Sequence, residues 1–243
     1  MSSGQEFDAR NVLAPTGRLR VGAFPGSPLS MATDGKTGEI HGLSIDLGRE
    51  LAKRLSVPFE PVGYQRIAEV LAAMKAGDVD FTISNATPAR AIDVNFSQTL
   101  ISLELGYLVP AGSPIATVSG VDAPGLRIGV TQGSTSQRTV PNLLPKAFLM
   151  PAQNSKHAVE MFGRGELDLF ATNKPTLFEM SDQMPGSRVL DGRWGVEHIA
   201  VAIPQGREAA LEYLRRFVAE MQSSGLLAGA VERAGLRGLL QTS

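Results

Sequence analysis

Apolar and polar residues alternate over Leu19-Arg20-Val21-Gly22-Ala23, and the run stops at Pro25, Gly26 and Pro28. That pattern predicts a strand ending in a loop. A turn is expected at Asp34-Gly35-Lys36-Thr37-Gly38. Leu47, Leu51 and Leu55 then recur at helical spacing, and Val57 to Val62 reads as a second strand. Ile67, Val70, Leu71 and Met74 form another helical stripe, closed by Gly77 in the position of a C-terminal cap. Val79-Asp80-Phe81-Thr82-Ile83 is a third strand. Strand, helix, strand, helix, strand in this order implies a parallel sheet covered by helices.

The pattern restarts at residues 125–130, a strand followed by a tight turn at 131–136 and a helix. Ala158, Val159, Met161 and Phe162 make a further helical stripe, and residues 167–171 a further strand. Two α/β lobes follow. Residues 105–110 form an extended segment placed to cross from the first lobe to the second, and the apolar run 199–203 is placed to cross back. A helix at residues 211–221 and a shorter one from Leu226 to Leu236 close the chain, so the first lobe takes both ends. The expected boundaries are residues 18–108 plus 200–243 for lobe 1 and 109–199 for lobe 2, with 1–17 a loose lead-in. No internal repeat or low-complexity stretch is visible in the sequence.

Composition narrows the chemistry. The 243 residues carry 23 Lys+Arg against 24 Asp+Glu, a formal net charge of -1. That balance argues against nucleic acid as a partner, since phosphate binding needs a basic excess or stripe. With no cysteine there is no thiol nucleophile, disulfide or Cys-based metal site. His41, His157 and His198 are too far apart in sequence for a local ligand pair, so no metal is expected. No apolar run approaches the ~20 residues that span a bilayer. No nucleophile elbow, phosphate loop, dinucleotide fingerprint or zinc-protease motif is present, and no cofactor is expected.

Two segments suggest anion binding instead. Gly133-Ser134-Thr135-Ser136 lies between a strand and a helix, where backbone N–H groups, hydroxyls and the helix dipole favour a carboxylate or phosphate. The plainer reading is an ordinary N-terminal cap. Arg90, in Asn85-Ala86-Thr87-Pro88-Ala89-Arg90, follows a strand end and offers a bidentate guanidinium. The plainer reading there is a surface arginine beside Asp93.

Several motifs in order carry a family resemblance. His41-Gly42-Leu43-Ser44-Ile45-Asp46-Leu47 is similar to a G-F-x-I-D-L motif. Thr87-Pro88-Ala89-Arg90 with Val94-Asn95-Phe96-Ser97 is similar to T-P-E-R…V-x-F-S. Residues 126–135 are similar to K-x-V-G-V-x-x-G-T-T/S, and Gly165-Glu166-Leu167-Asp168-Leu169 to G-x-x-D-A. From about Gly17 to about Leu239 the chain resembles the family 3 extracellular solute-binding proteins, the periplasmic amino-acid-binding components of ABC importers.

The resemblance implies a two-lobed flytrap of the periplasmic-binding-protein fold, each lobe a mainly parallel sheet flanked by helices, joined by two hinge crossings. It implies capture of a small carboxylate-bearing solute, an amino acid or related organic acid, in the cleft by domain closure, with no catalysis. It also implies a membrane permease as partner, a monomer, and a periplasmic location with the signal peptide removed. The arginine matching Arg90 grips the carboxylate, Ser134 and Thr135 add hydrogen bonds from the other lobe, and an aromatic matching Tyr64 packs on the ligand. The position matching Asn85 lines the cleft; the local spacing leaves Ser84 sharing that expectation.

Three departures matter. The family's ammonium-binding aspartate is replaced by Asn173, which brings no charge to a cation. The segment from Asp80 to Arg90 is about two residues short. The aromatic-Pro-Pro loop becomes Phe24-Pro25-Gly26-Ser27-Pro28-Leu29, making Phe24 either a pocket wall or core. If Glu104 faces the cleft it supplies the charge that Asn173 lacks; otherwise it is a solvated carboxylate. Glu197 and His198 share that ambiguity. Two other functions use the same scaffold: a cyclohexadienyl or arogenate dehydratase, which needs a placed general acid, and the sensing domain of a receptor.

Overall fold

The computed structural model describes residues 8–33 and 37–240, so the expected turn at Asp34–Lys36 lies outside the described residues. The first lobe opens with α1 (Ala9–Leu13), β1 (Leu19–Ala23), and the short pair β2 (Ala32–Thr33) and β3 (Ile40–His41). It continues with α2 (Leu43–Arg54), β4 (Phe59–Gly63), α3 (Ile67–Ala76) and β5 (Thr82–Asn85). A long strand, β6 (Val94–Val109), leads into the second lobe. There follow β7 (Arg127–Thr131), α4 (Thr135–Leu143), β8 (Phe148–Ala152), α5 (Ser155–Gly163), β9 (Leu169–Asn173), α6 (Lys174–Asp182) and β10 (Arg188–Val189). The return strand β11 (Gly195–Pro204) delivers the chain to α7 (Leu211–Ser223) and α8 (Leu226–Arg233) on the first lobe.

Pairing explains how two lobes share one sheet. In the first lobe β1 pairs parallel with β4 and meets Phe81 through a parallel bridge. In the second, β7 pairs parallel with β8 and β9. The strands between them are antiparallel: β5 with β11, β11 with β6, and β6 with β9. Each lobe is therefore a mixed sheet, parallel outside and antiparallel at the junction. β6 pairs with β11 from Val94 to Leu105 and with β9 from Leu105 to Leu108, so Leu105 marks where β6 exchanges one partner strand for the other.

The apolar residues divide in the same place. One core gathers α1, α2, α7 and α8 on one face of the first sheet, around Leu19, Leu47, Phe81, Leu103 and Phe217. A smaller one sits under α3 around Met74, Val79 and Val94. The second sheet has its own pair, around Tyr107, Ile128 and Val140 on one face and Phe162, Phe170 and Leu177 on the other. Each core lies on one side of the junction strands, with Tyr107 and Leu108 at the end of β6 packing on the second side and Ile199 of β11 on the first. Burial of each such side chain stabilises by roughly 1.5–3 kcal/mol, so each lobe holds together by its own packing and the lobes are joined by little apolar surface.

Three expectations change. Residues 8–17 are not a loose lead-in: α1 is capped by the Asp8 carboxylate and buries Leu13 completely in the first-lobe core. The crossing segment is a sixteen-residue strand, far longer than residues 105–110. And the lobes do repeat. Leu19-Arg20-Val21-Gly22 and Leu126-Arg127-Ile128-Gly129 start equivalent strands. Arg20 grips Asp80 and the Gly77 carbonyl as Arg127 grips Asp168 and the Gly165 carbonyl. The chain also makes a third, noncovalent link between lobes. Its tail runs beside β6, with the Leu240 N–H donating to the Ser102 carbonyl, and Arg237 pairs with Asp182 of α6.

Candidate functional site

Between the lobes lies a cleft of about 770 Å³, counting its open mouth. The second lobe presents the N-termini of three helices to it. Each follows a strand, α6 directly and α4 and α5 after a short turn, and each has a capping side chain in the wall. Ser134 accepts from the Gln137 N–H at the start of α4, Asn154 from His157 at α5, and Asn173 from Thr176 at α6. Caps satisfy part of the orphan N–H groups, and the three dipoles make this wall electropositive. The two readings of residues 133–136 thus hold together: Ser134 is an ordinary cap and Thr135 stands beside it in the cleft wall.

The first lobe supplies the loop after β1, from Phe24 to Ser30, the start of α3 at Gln65 to Ile67, the end of β5 from Ile83 to Asn85, and Arg90. Arg90 is no surface residue beside Asp93, which pairs with Lys75 instead. Arg90 is 8% exposed. One guanidinium nitrogen donates to Ser84 Oγ at 2.7 Å and to the Asn85 carbonyl at 3.3 Å, while Nε is buried with no partner. Burial pulls its pKa down to about 10, opposed by the charge of Glu197.

Glu197 reaches the cleft from β11. Its Oε1 accepts from the Asn85 side-chain amide at 3.3 Å, and its Oε2 from that of Asn173 at 3.1 Å. Burial pushes its carboxyl pKa up, while Arg90 and the two amides pull the other way. Sequence reasoning left this residue ambiguous. Its signal was the placement of a charged residue inside an apolar crossing strand, where burial without function is uncommon.

Of the expected site residues, Arg90, Ser84, Asn85, Ser134, Thr135, Asn173 and Phe24 line this one cleft. Two do not. Tyr64 packs with Met74 and Val79 beneath α3, outside the cleft wall, and Phe24 provides the aromatic surface instead. Glu104 is bound by Lys174 and Arg193 at 2.5 and 2.8 Å, and these hydrogen bonds hold its carboxyl below the usual carboxylate range. It supplies no charge to the cleft. His198 also faces elsewhere, with its ring against Ser102 Oγ. Unforeseen wall residues include Asn154, Ser155 and Thr176. They belong to the starts of α5 and α6; α6 and strand β8, which feeds α5, were not read from the sequence.

The lobes touch across the cleft. Asn85 reaches Thr135 at 3.5 Å, Thr176 reaches Ser27 at 3.4 Å, and Ser155 Oγ donates to the Gly26 carbonyl at 3.3 Å. Gly133, in the left-handed region at φ +74°, faces Ala68 of α3 so closely that a Cβ there would lie 2.6 Å from the alanine methyl. Among the described residues no cluster of acids and histidines could hold a metal ion, and no helix is long and apolar enough to cross a membrane.

Residues 19–235 match the model of the bacterial extracellular solute-binding proteins, family 3. The ABC transporter glutamine-binding protein GlnH of Bacillus subtilis (strain 168) is 23% identical over 193 residues, covering 78% of this chain and 70% of that one. The crystal structure of the ancestral amino acid-binding protein AncCDT-1, a precursor of cyclohexadienyl dehydratase, superposes with a TM-score of 0.80 at 25% identity, covering 92% of this chain and 98% of that one. An amino acid ABC transporter substrate-binding protein from Streptococcus pneumoniae, bound to L-arginine, gives a TM-score of 0.82 over 97% and 100% of the two chains, at 19% identity.

Proposed function

Because the chain belongs to the family 3 bacterial extracellular solute-binding proteins, we propose that it captures one small carboxylate-bearing solute between its lobes and hands it, in the closed form, to the permease of an ABC importer. Lobe 1 comprises residues 18–108 plus 200–243 in this reading, with α1 packed onto it, and lobe 2 residues 109–199. The observation that carries the proposal is the pairing across the cleft of a buried Arg90, whose Nε has no protein partner, with the capped start of α4 at Ser134 and Thr135. A carboxylate held by both ties its binding energy to the lobe angle.

Calorimetric titration of refolded protein with amino acids, dicarboxylates and aromatic acids tests this. One acid should bind per chain, with a smaller radius of gyration in solution scattering. At 100 times its dissociation constant it should stabilise the fold by roughly 2.7 kcal/mol. Binding confined to uncharged solutes would overturn the proposal.

Closure also depends on Gly133. Gly133→Ala should weaken binding by tenfold or more, since its methyl collides with Ala68 only when the lobes meet. The left-handed backbone adds about 1 kcal/mol of general destabilisation, so melting of the ligand-free protein should fall only slightly. Equal affinity in calorimetry would remove Gly133 from the closing surface.

One observation favours a second reading. A buried carboxyl with a raised pKa stands in the cleft at Glu197, so a group able to hold a proton is present where a dehydratase would need one. Incubation with arogenate or prephenate decides: turnover abolished by Glu197→Gln would make the protein an enzyme, and intact substrate leaves the binding reading.

A further inference from the structure

Resting on the solute-binding reading of the same cleft, we infer that Glu197 holds the ammonium group of the ligand, so that the solute is a zwitterionic amino acid whose side chain carries no positive charge. Glu197 is the single acid in the cleft wall among the described residues, and it faces a wall otherwise made electropositive by Arg90, Arg66 and three helix N-termini; Arg66 is already paired with Glu69 at 3.0 Å, which leaves Arg90 as the cation open to a ligand. It is 8% exposed, and among the described residues it makes no ion pair within 4.0 Å. Each carboxylate oxygen accepts one amide N–H, from Asn85 on the first lobe and Asn173 on the second. A carboxylate has about four acceptor directions, so about two remain for a cation entering from the cleft.

The charges fit one ligand class. Arg90 and Glu197 are opposite charges held in one wall without touching. A zwitterion with its carboxylate on Arg90 and its ammonium on Glu197 pairs both, and buried charges need such pairing. A dicarboxylate would set a second negative charge against Glu197. Once Glu197 is engaged, no further acid in the wall remains to pair a lysine or arginine side chain. The apolar surface of Phe24, Leu29 and Ile67 suits a neutral one.

Asn173 then has a defined part. Its Oδ1 caps α6 by accepting from the Thr176 N–H at 3.2 Å, and its amide donates to Glu197. It is a positioning residue. An aspartate at 173 would place two carboxylates at hydrogen-bond distance, where they cannot both stay ionised. The amide at 173 and the acid at 197 are thus a matched pair, with the charge relocated from the helix start to the hinge strand.

The test is a charge swap read by calorimetry. For the tightest-binding neutral amino acid, Glu197→Gln should cost about 30-fold in affinity or more. The matching acid lacking the ammonium should bind wild type and variant equally. Asn173→Asp combined with Glu197→Gln should recover most of the loss, which a merely misfolded variant would not. Lysine and arginine should bind wild type at least about tenfold more weakly than the neutral ligand. If Glu197→Gln keeps full discrimination between an amino acid and its deaminated analogue, or if lysine or arginine binds tightest, this inference falls while the carboxylate-capture reading stands. If no acid of any kind binds, the broader reading falls first.

Discussion

Arg90→Ala is expected to weaken capture of every carboxylate ligand by roughly 30-fold or more while leaving a folded protein. The side chain is enclosed, and two of its hydrogen bonds go to neighbours on its own lobe, Ser84 and the Asn85 carbonyl. Truncating one partner of a buried, charge-assisted pair costs about 2–5 kcal/mol, or roughly 30-fold to several thousand-fold in affinity. The free fold should respond differently. Burial drags the Arg90 pKa down to about 10, so at neutral pH the charged guanidinium sits in surroundings that disfavour it. Arg90→Met, which keeps the volume and removes the charge, should therefore melt at or above the wild-type temperature without ligand and show no ligand-induced shift. Calorimetry and paired melts check both statements. Affinity within threefold of wild type for Arg90→Ala would remove Arg90 from the site.

The contrast between what the sequence showed and what it hid follows from how the signals arise. β1, α2, α3 and α7 were legible because each has one apolar face toward a core, and a face repeats at the period of its element. The starts of the anion-facing elements were legible because Ser134 and Arg90 follow strand ends. α6 was not, since Lys174-Pro175-Thr176 reads as a loop until the proline is seen to occupy the first turn, where its missing N–H does no harm. β8 was not, because Phe148 and Pro151 on this edge strand break the alternation. Tyr64 and Glu104 failed for another reason. Their side-chain directions are set by α3 and by Lys174 and Arg193, contacts made across more than one element. Glu197 was ambiguous on the same ground: only the fold places Asn85 and Asn173 on either side of it.

The repeat of the lobes hides in the sequence because only a few residues per lobe carry it, and those residues lead to the largest expected loss of stability. Asp80→Ala should destabilise the protein by about 3–5 kcal/mol, a large part of the roughly 5–15 kcal/mol that holds a typical fold. Asp80 is fully buried. Its Oδ2 accepts from the Arg20 backbone N–H at 3.0 Å and from Nε at 2.8 Å, its Oδ1 accepts from Arg20 at 2.8 Å, and the same oxygen forms an ion pair with Arg207 at 2.9 Å. Arg207 in turn donates to the Leu13 carbonyl at 3.2 Å. One carboxylate thus joins β1, the approach to β5, the segment after β11 and the end of α1, which are distant in sequence. Alanine would leave two largely enclosed guanidinium groups facing each other with no anion between them. The equivalent Asp168 is an internal control. It binds a single arginine, and its side chain is 30% exposed, so water compensates for much of what is removed and Asp168→Ala should lose less. Urea unfolding of both variants measures the difference. A loss at Asp80 no greater than at Asp168 would show that the first lobe does not depend on this buried junction, and that its apolar core alone holds the two chain ends together.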